Sequence, residues 1–192
     1  MKKVVTKKNQ KILKKLLVGL IILFFGLYTQ AKNGGDVKLD TSQSGYYDVV
    51  SIADGDTITV NMEGKKEKIR FIGVDTPEVY HGGDTAPSEC YADQAKEFVT
   101  SGIDSKRVKL IADDKGSNRD KYGRLLRYVY THDDRNLDEL LVSEGYGFAV
   151  DGFVYSKKES FLNLMEQAKQ NRKGLWAVCG IDYSKGYPEV SK

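Results

Sequence analysis

The stretch Arg70-Phe71-Ile72-Gly73-Val74-Asp75-Thr76-Pro77-Glu78 constrains this chain more than any other. Its first half is rich in β-branched and aromatic residues and reads as a strand. Pro77 stops that strand, because proline has no amide to donate to a ladder. One guanidinium and two carboxylates are thereby gathered around a strand end. Such a set suits metal-assisted attack on a phosphodiester: hard oxygens for a divalent cation, a base for water, and a fixed cation for phosphoryl charge. The same residues also suit an ordinary polar turn, since Asp-Thr-Pro-Glu is good turn and helix-start chemistry. Strict alternation places Arg70 and Asp75 on opposite faces, so a shared site requires the strand to bulge or end near Gly73.

Around this stretch the pattern is first β, then mixed. Tyr46 to Ile52 reads as a first strand and Asp54-Gly55 as a hairpin turn, with Asp54 taken as turn chemistry. Thr57 to Met62 alternates, with Ile58, Val60 and Met62 on one face; Asp56 is in phase with them and is expected at the mouth of a core. Lys68 to Val74 forms the third strand, Arg107 to Ala112 the fourth and Arg124 to Tyr130 the fifth. A helix opening at Ser88 carries Tyr91, Ala92, Ala95, Phe98 and Val99 as its apolar stripe. Asn136 caps a short helix with Leu137, Leu140 and Leu141 inward, and a last helix runs from about 156 to 173. Three strands, a helix, two strands and two helices predict an α+β fold: a five-stranded barrel with three helices packed outside.

Two more segments complete the polar pattern, Asp54-Gly55-Asp56-Thr57 upstream and Asp120-Lys121-Tyr122-Gly123-Arg124 downstream. Together with Arg70 and Asp75-Thr76-Pro77-Glu78, in this order, they resemble the staphylococcal nuclease (thermonuclease) family from about residue 46 to 176. The resemblance implies an oligonucleotide-binding (OB) type barrel. It implies that Asp56 and Asp75 give carboxylate oxygens, and Thr76 its carbonyl, to one Ca²⁺. Glu78 matches the general base that activates water, and Arg70 and Arg124 match the two arginines that hold the phosphate. Lys121, Tyr122, Phe153 and Tyr155 match positions lining the nucleotide groove, with Phe153 standing where the family has tyrosine. A phenylalanine still offers a base its π face, while a hydroxyl contact is lost. The implied activity is cleavage of DNA and RNA with little sequence preference, leaving 3′-phosphates. The alternative is a non-catalytic nucleic-acid-binding barrel. Loss of Asp56, Asp75, Glu78, Arg70 or Arg124 would favour it, and all five are present. A zinc hydrolase is a poorer fit, since two histidines and two cysteines lack ligand spacing.

The ends of the chain set its organisation. Residues 1–15 hold seven lysines and no acid, Leu16 to Tyr28 is an almost uninterrupted apolar run, and small Ala31 follows. This is the pattern of an export signal; counted from Ile12 the run approaches a membrane span, so a retained anchor is the alternative. The chain divides into 1–31 (signal peptide or N-terminal anchor), 32–45 (flexible spacer), 46–180 (folded domain) and 181–192 (tail). Location outside the cytoplasmic membrane, secreted or anchored at its outer face, is expected. The whole chain has 30 Lys+Arg against 27 Asp+Glu, or +3; without the seven lysines of 1–31, 23 bases face 27 acids, or −4. Nucleic acid is therefore not held by bulk positive charge, and a local site must do it. DNA and RNA are the implied partners, with the membrane a further one through residues 12–31. No protein partner is legible, a monomer is expected, and His81 in its Gly-rich loop is given no catalytic role. Cys90 and Cys179 are the only cysteines in a chain marked for export, which predicts a disulfide between them. Two unrelated thiols are the alternative.

Overall fold

A computed structural model describes residues 44–80, 87–103 and 105–191. They lie in the compact unit Leu39–Lys192; the other unit, Met1–Lys38, falls outside the described residues. So do the expected signal or anchor, nearly all of the spacer, and His81. No helix among the described residues is long and apolar enough to cross a membrane.

Five strands close a barrel in the order β1-β2-β3-β6-β5: β1 (Gly45–Ile52), β2 (Thr57–Met62), β3 (Lys65–Phe71), β5 (Arg107–Ile111) and β6 (Leu125–Tyr130). The strands pair antiparallel except β3 with β6, which run parallel with Ile69 opposite Leu125. Closure leaves the barrel no unpaired edge and points alternate residues inward, so Ile58, Val60, Ile69, Val108, Leu110, Leu125 and Val129 are all fully buried. Asp56, in phase with that face, is 1% exposed.

Helix α1 (Ala92–Gly102), α2 (Leu137–Ser143) and α3 (Lys158–Gln170) pack outside, followed by the single turn α4 (Leu175–Val178). The expected architecture is therefore present, with shifted boundaries. Strand β3 begins at Lys65, not Lys68, because Glu63 (φ 53°) and Gly64 (φ 87°) make a two-residue turn that brings Lys65 opposite Met62. It ends at Phe71, and the two-residue strand β4 (Val74–Asp75) pairs instead with β7 (Phe148–Ala149). Helix α1 starts at Ala92, not Ser88, since Tyr91 before it is left-handed (φ 72°). The last helix is shorter than 156–173 at both ends, and Arg172 (φ 52°) breaks the chain before α4. Residues 181–192 are not simply a tail: β8 (Ile181–Asp182) and β9 (Glu189–Val190) form a hairpin that buries Val190.

Two ties hold the helices to the barrel. Cys90 and Cys179 are joined by a disulfide 89 residues apart in sequence, as expected, fastening the segment after α4 to the entry of α1. A bridge of that span contributes about 2–4 kcal/mol, mainly by restricting the unfolded chain. The second tie is Asp138, fully buried in the first turn of α2. One of its oxygens accepts from the Ile72 amide and the other from the Val129 amide, both at 2.8 Å. A single carboxylate thus joins the helix to β6 and to the end of β3, one residue before Gly73.

Asp138→Asn is expected to destabilise the fold by roughly 1–3 kcal/mol, because its amide NH₂ can accept from neither N–H and must face one of them in the dry interior. Urea unfolding of the two proteins measures the difference; equal midpoints would contradict the tie.

Candidate active site at the barrel mouth

The site is built where β3 ends. Gly73 has φ 76°, a conformation that side chains disfavour, and a Cβ there would land on the Tyr155 ring. The strand can break at this point only because the residue is glycine. The break turns Asp75 back toward Arg70, whose Nη2 lies 2.5 Å from Asp75 Oδ1. The same guanidinium is ion-paired through Nη1 with Asp56. Arg70 and Asp75 thus share one site, as the break near Gly73 required, and both carboxylates converge on one arginine.

Pairing of Thr57 with Arg70 in the β2–β3 ladder brings Asp56 to this point. Asp56 Oδ2 accepts from the Thr76 amide (2.8 Å) and hydroxyl (3.1 Å), and Oδ1 from the Thr57 hydroxyl (3.0 Å). Gly55 permits the approach, since a Cβ there would sit 2.8 Å from the Thr76 methyl and 2.9 Å from Ala95 of α1. Arg124 reaches the Thr57 hydroxyl at 3.4 Å and completes a chain Arg124–Thr57–Asp56–Arg70–Asp75. Its own position is set by Asp120, which accepts from the Arg124 Nε at 2.6 Å and its amide at 3.0 Å. Desolvation works against the ionised Asp120, but these bonds outweigh it and hold its carboxyl below the usual range.

Glu78 lies exposed at the outer side of the same mouth. Its carboxyl is raised above the ordinary glutamate value, first by desolvation on its inner side and then by the charges of Asp54, Asp75 and Glu89, with Arg70 opposing. A raised carboxyl is a stronger base once ionised. Asp54 does form the expected turn, accepting the Asp56 amide at 3.1 Å. It is also half-buried and raised by desolvation, with Arg70, Thr57 and Arg124 pulling the other way. It therefore belongs to the site's charge set, which turn chemistry alone did not reveal.

The donor set is all oxygen: two carboxylates and a backbone carbonyl at Thr76, whose residue is fixed by its bonds to Asp56. No three His, Cys, Asp or Glu side chains form a ready cage for a metal among the described residues. Both cysteines are committed to the disulfide. Two carboxylates gathered at one cationic point suit a hard divalent ion of loose coordination better than a soft one.

A groove of about 670 Å³ runs from Arg70 and Arg124 past Lys121 and Tyr122 to Phe153 and Tyr155. Tyr122 and Phe153 are 73% and 72% exposed at its rim, and the cations of Lys121 and Arg124 lie 5.0 and 5.6 Å from the centre of the Tyr122 ring. Tyr155 is different: it is 5% exposed, packs on Gly73, and donates its hydroxyl to the Val150 carbonyl at 2.9 Å. It forms floor more than contact surface. Asp113, not singled out in the sequence, ties the groove's two walls together by accepting from Tyr128 (2.6 Å), the Ser156 amide (2.7 Å) and the Lys115 amide (2.7 Å).

Comparisons with known proteins show which family the chain resembles. The family described as Staphylococcal nuclease homologue matches residues 68–178. An uncharacterized protein of Methanocaldococcus jannaschii is 35% identical over 157 residues, covering 72% of this chain and 74% of that protein. Endonuclease YncB of Bacillus subtilis is 34% identical over 141 residues, covering 70% of this chain. The chain spans 63% of that relative's length. A thermonuclease of Staphylococcus hyicus is 29% identical over 165 residues, covering 84% of this chain and 94% of that protein.

Gly73→Ala is expected to destabilise the protein by about 1–3 kcal/mol through overpacking against Tyr155, with left-handed strain added. It should also separate Arg70 from Asp75. The unfolding midpoint and the affinity for a divalent cation should fall together; a drop in neither would contradict the role given to the break.

Proposed function

The chain belongs to the staphylococcal nuclease homologue family, and on that premise we propose that it is an exported, Ca²⁺-dependent phosphodiesterase acting on DNA and RNA. One observation carries the reading: Asp56 and Asp75 meet on Arg70 at the same barrel mouth as Glu78 and Arg124. The named activities of two relatives, an endonuclease and a thermonuclease, support it. The binding-only alternative has no use for a carboxylate of raised pKa beside two arginines and a pair of acids.

Asp56, Asp75 and the Thr76 carbonyl would hold the ion, which when bound supplies charge to the phosphoryl oxygens and acidifies water. Arg70 and Arg124 grip the phosphate with planar forks, each able to bind two oxygens at once. Glu78 takes a proton from the attacking water. The new O–P bond forms as the P–O5′ bond breaks; the departing 5′-oxygen takes a proton from solvent, and the phosphate stays on the 3′ side. Tyr122 and Phe153 offer stacking faces that suit any base, which supports low sequence preference and the acceptance of single strands. A mature chain of net charge −4 suits a substrate held locally, by arginines and a bound cation, and not by a broad basic face.

The lysine-rich start followed by the apolar run supports export, with cleavage near Ala31 or retention as an anchor. The disulfide accords with an oxidising location.

Purified residues 32–192 are expected to digest nucleic acid with Ca²⁺, to do so far less with Mg²⁺, and to stop with a chelator. Mg²⁺ demands near-ideal octahedral ligands and releases water reluctantly. Glu78→Gln should lower kcat by roughly two to four orders of magnitude while leaving Ca²⁺ affinity nearly unchanged. Equal turnover with Mg²⁺ would overturn the metal assignment, and a wild-type rate for Glu78→Gln would overturn the base. Cells making the full chain should show the activity in the medium or at the outer face.

A further inference from the structure

Glu78 follows Pro77 directly and lies outside every strand. Its carboxylate makes no hydrogen bond that would fix it among the described residues; what is fixed is its backbone. The Glu78 amide donates to Glu89 Oε2 at 2.9 Å, and the Glu89 amide donates back to the Glu78 carbonyl at 3.0 Å. A third bond, from the Tyr80 amide to the Ser88 hydroxyl at 3.3 Å, lies beside them. Three hydrogen bonds therefore cross the neck of the 79–88 connection.

The far side of the neck is anchored. The Glu89 carbonyl accepts from the Ala92 amide at 3.1 Å, at the start of α1. Ala92, Ala95 and Val99 of that helix are fully buried, and Ala95 is the residue against which Gly55 and the Asp56 turn are packed. Cys90, the next residue, carries the disulfide to Cys179. Glu89 is thus held by a buried helix and a covalent bridge, and it holds Glu78 in turn.

We propose that Glu89 is a positioning residue for the reaction: its carboxylate fixes the backbone of Glu78, so that the base faces the cation-binding pair. This rests on the reading of Glu78 given above. A base displaced by about 1 Å loses on the order of 10²-fold in rate. The contribution of Glu89 is the acceptor and not the charge; its charge adds to the acidic crowding that the site already carries. Glutamine retains the acceptor oxygen at the same reach and discards the charge, and alanine discards both.

The test is steady-state digestion of one DNA substrate with Ca²⁺ by the wild type, Glu78→Gln, Glu89→Ala and Glu89→Gln, with melting curves for each. Glu89→Ala should lower kcat about ten- to a hundredfold with KM within about twofold, and Glu89→Gln should restore most of the rate. Should the alanine variant melt early, Glu89→Met keeps the packing of the stem and removes the acceptor, and is read in its place. A wild-type kcat for the variant lacking the acceptor overturns the proposal, as does a Glu89→Gln variant as slow as Glu89→Ala. If Glu78→Gln is slow while Glu89→Ala is not, only this inference fails. A fast Glu78→Gln removes the reading of Glu78 and the inference with it.

Discussion

Like-charge crowding at one end of a barrel is the constraint around which this molecule is arranged. Asp54, Asp56, Asp75, Glu78 and Glu89 gather about Arg70, with Arg124 at their edge. Two unit charges 4 Å apart repel by about 4 kcal/mol at the effective dielectric of a protein surface. No fold collects that many carboxylates unless something offsets the repulsion. Part of the offset is visible: one guanidinium bridges two of the acids, and the Thr76, Glu78 and Asp56 amides each donate to an acid of the set. The remaining surplus of negative charge is what suits the mouth to the divalent cation proposed for it.

The scaffold keeps those groups from relaxing apart. Arg70 and Asp75 meet because the chain breaks at Gly73, and the break is held from three directions. Asp138 takes the Ile72 amide, the Val150 amide donates to the Gly73 carbonyl at 3.0 Å, and Tyr155 closes over Gly73 itself. Strand β4 then fixes Asp75 by pairing it with Phe148. The groove beyond is set by two further carboxylates, Asp113 and Asp120, whose oxygens are turned to backbone amides and to side chains of the fold. Acids therefore serve two ends here: Asp113 and Asp120 build the groove walls, and the acids gathered about Arg70 line the mouth.

Much of this was legible from residue order because it depends on local rules. The alternation of β2 placed Asp56 inward, the phase conflict between Arg70 and Asp75 demanded a break at Gly73, and two cysteines in an export-marked chain implied one bridge. What was not legible depends on partners distant in sequence. Lys65-Lys66-Glu67 has poor strand propensity and pairs only because the Glu63-Gly64 turn delivers it to β2, with Arg119 covering Glu67 at 2.5 Å. Asp138 resembles a surface helix acid until Ile72 and Val129 are seen to donate to it. Asp54 read as turn chemistry, which it is, and Glu89 carried no signal of its own; both come beside Glu78 only once the barrel closes. The short hairpin of 181–190 has no pattern strong enough to announce itself in two-residue strands.

The measurement that bears most directly on this account is calorimetric titration of Ca²⁺ into the purified 32–192 chain and into Asp75→Asn. The account predicts one ion per chain for the wild type, a higher melting midpoint with ion present, and much weaker binding for a variant whose fold is otherwise intact. Absence of saturable binding in a chain that still cleaves nucleic acid, or equal affinity in the variant, would contradict the claim that the crowded carboxylates form a cation site.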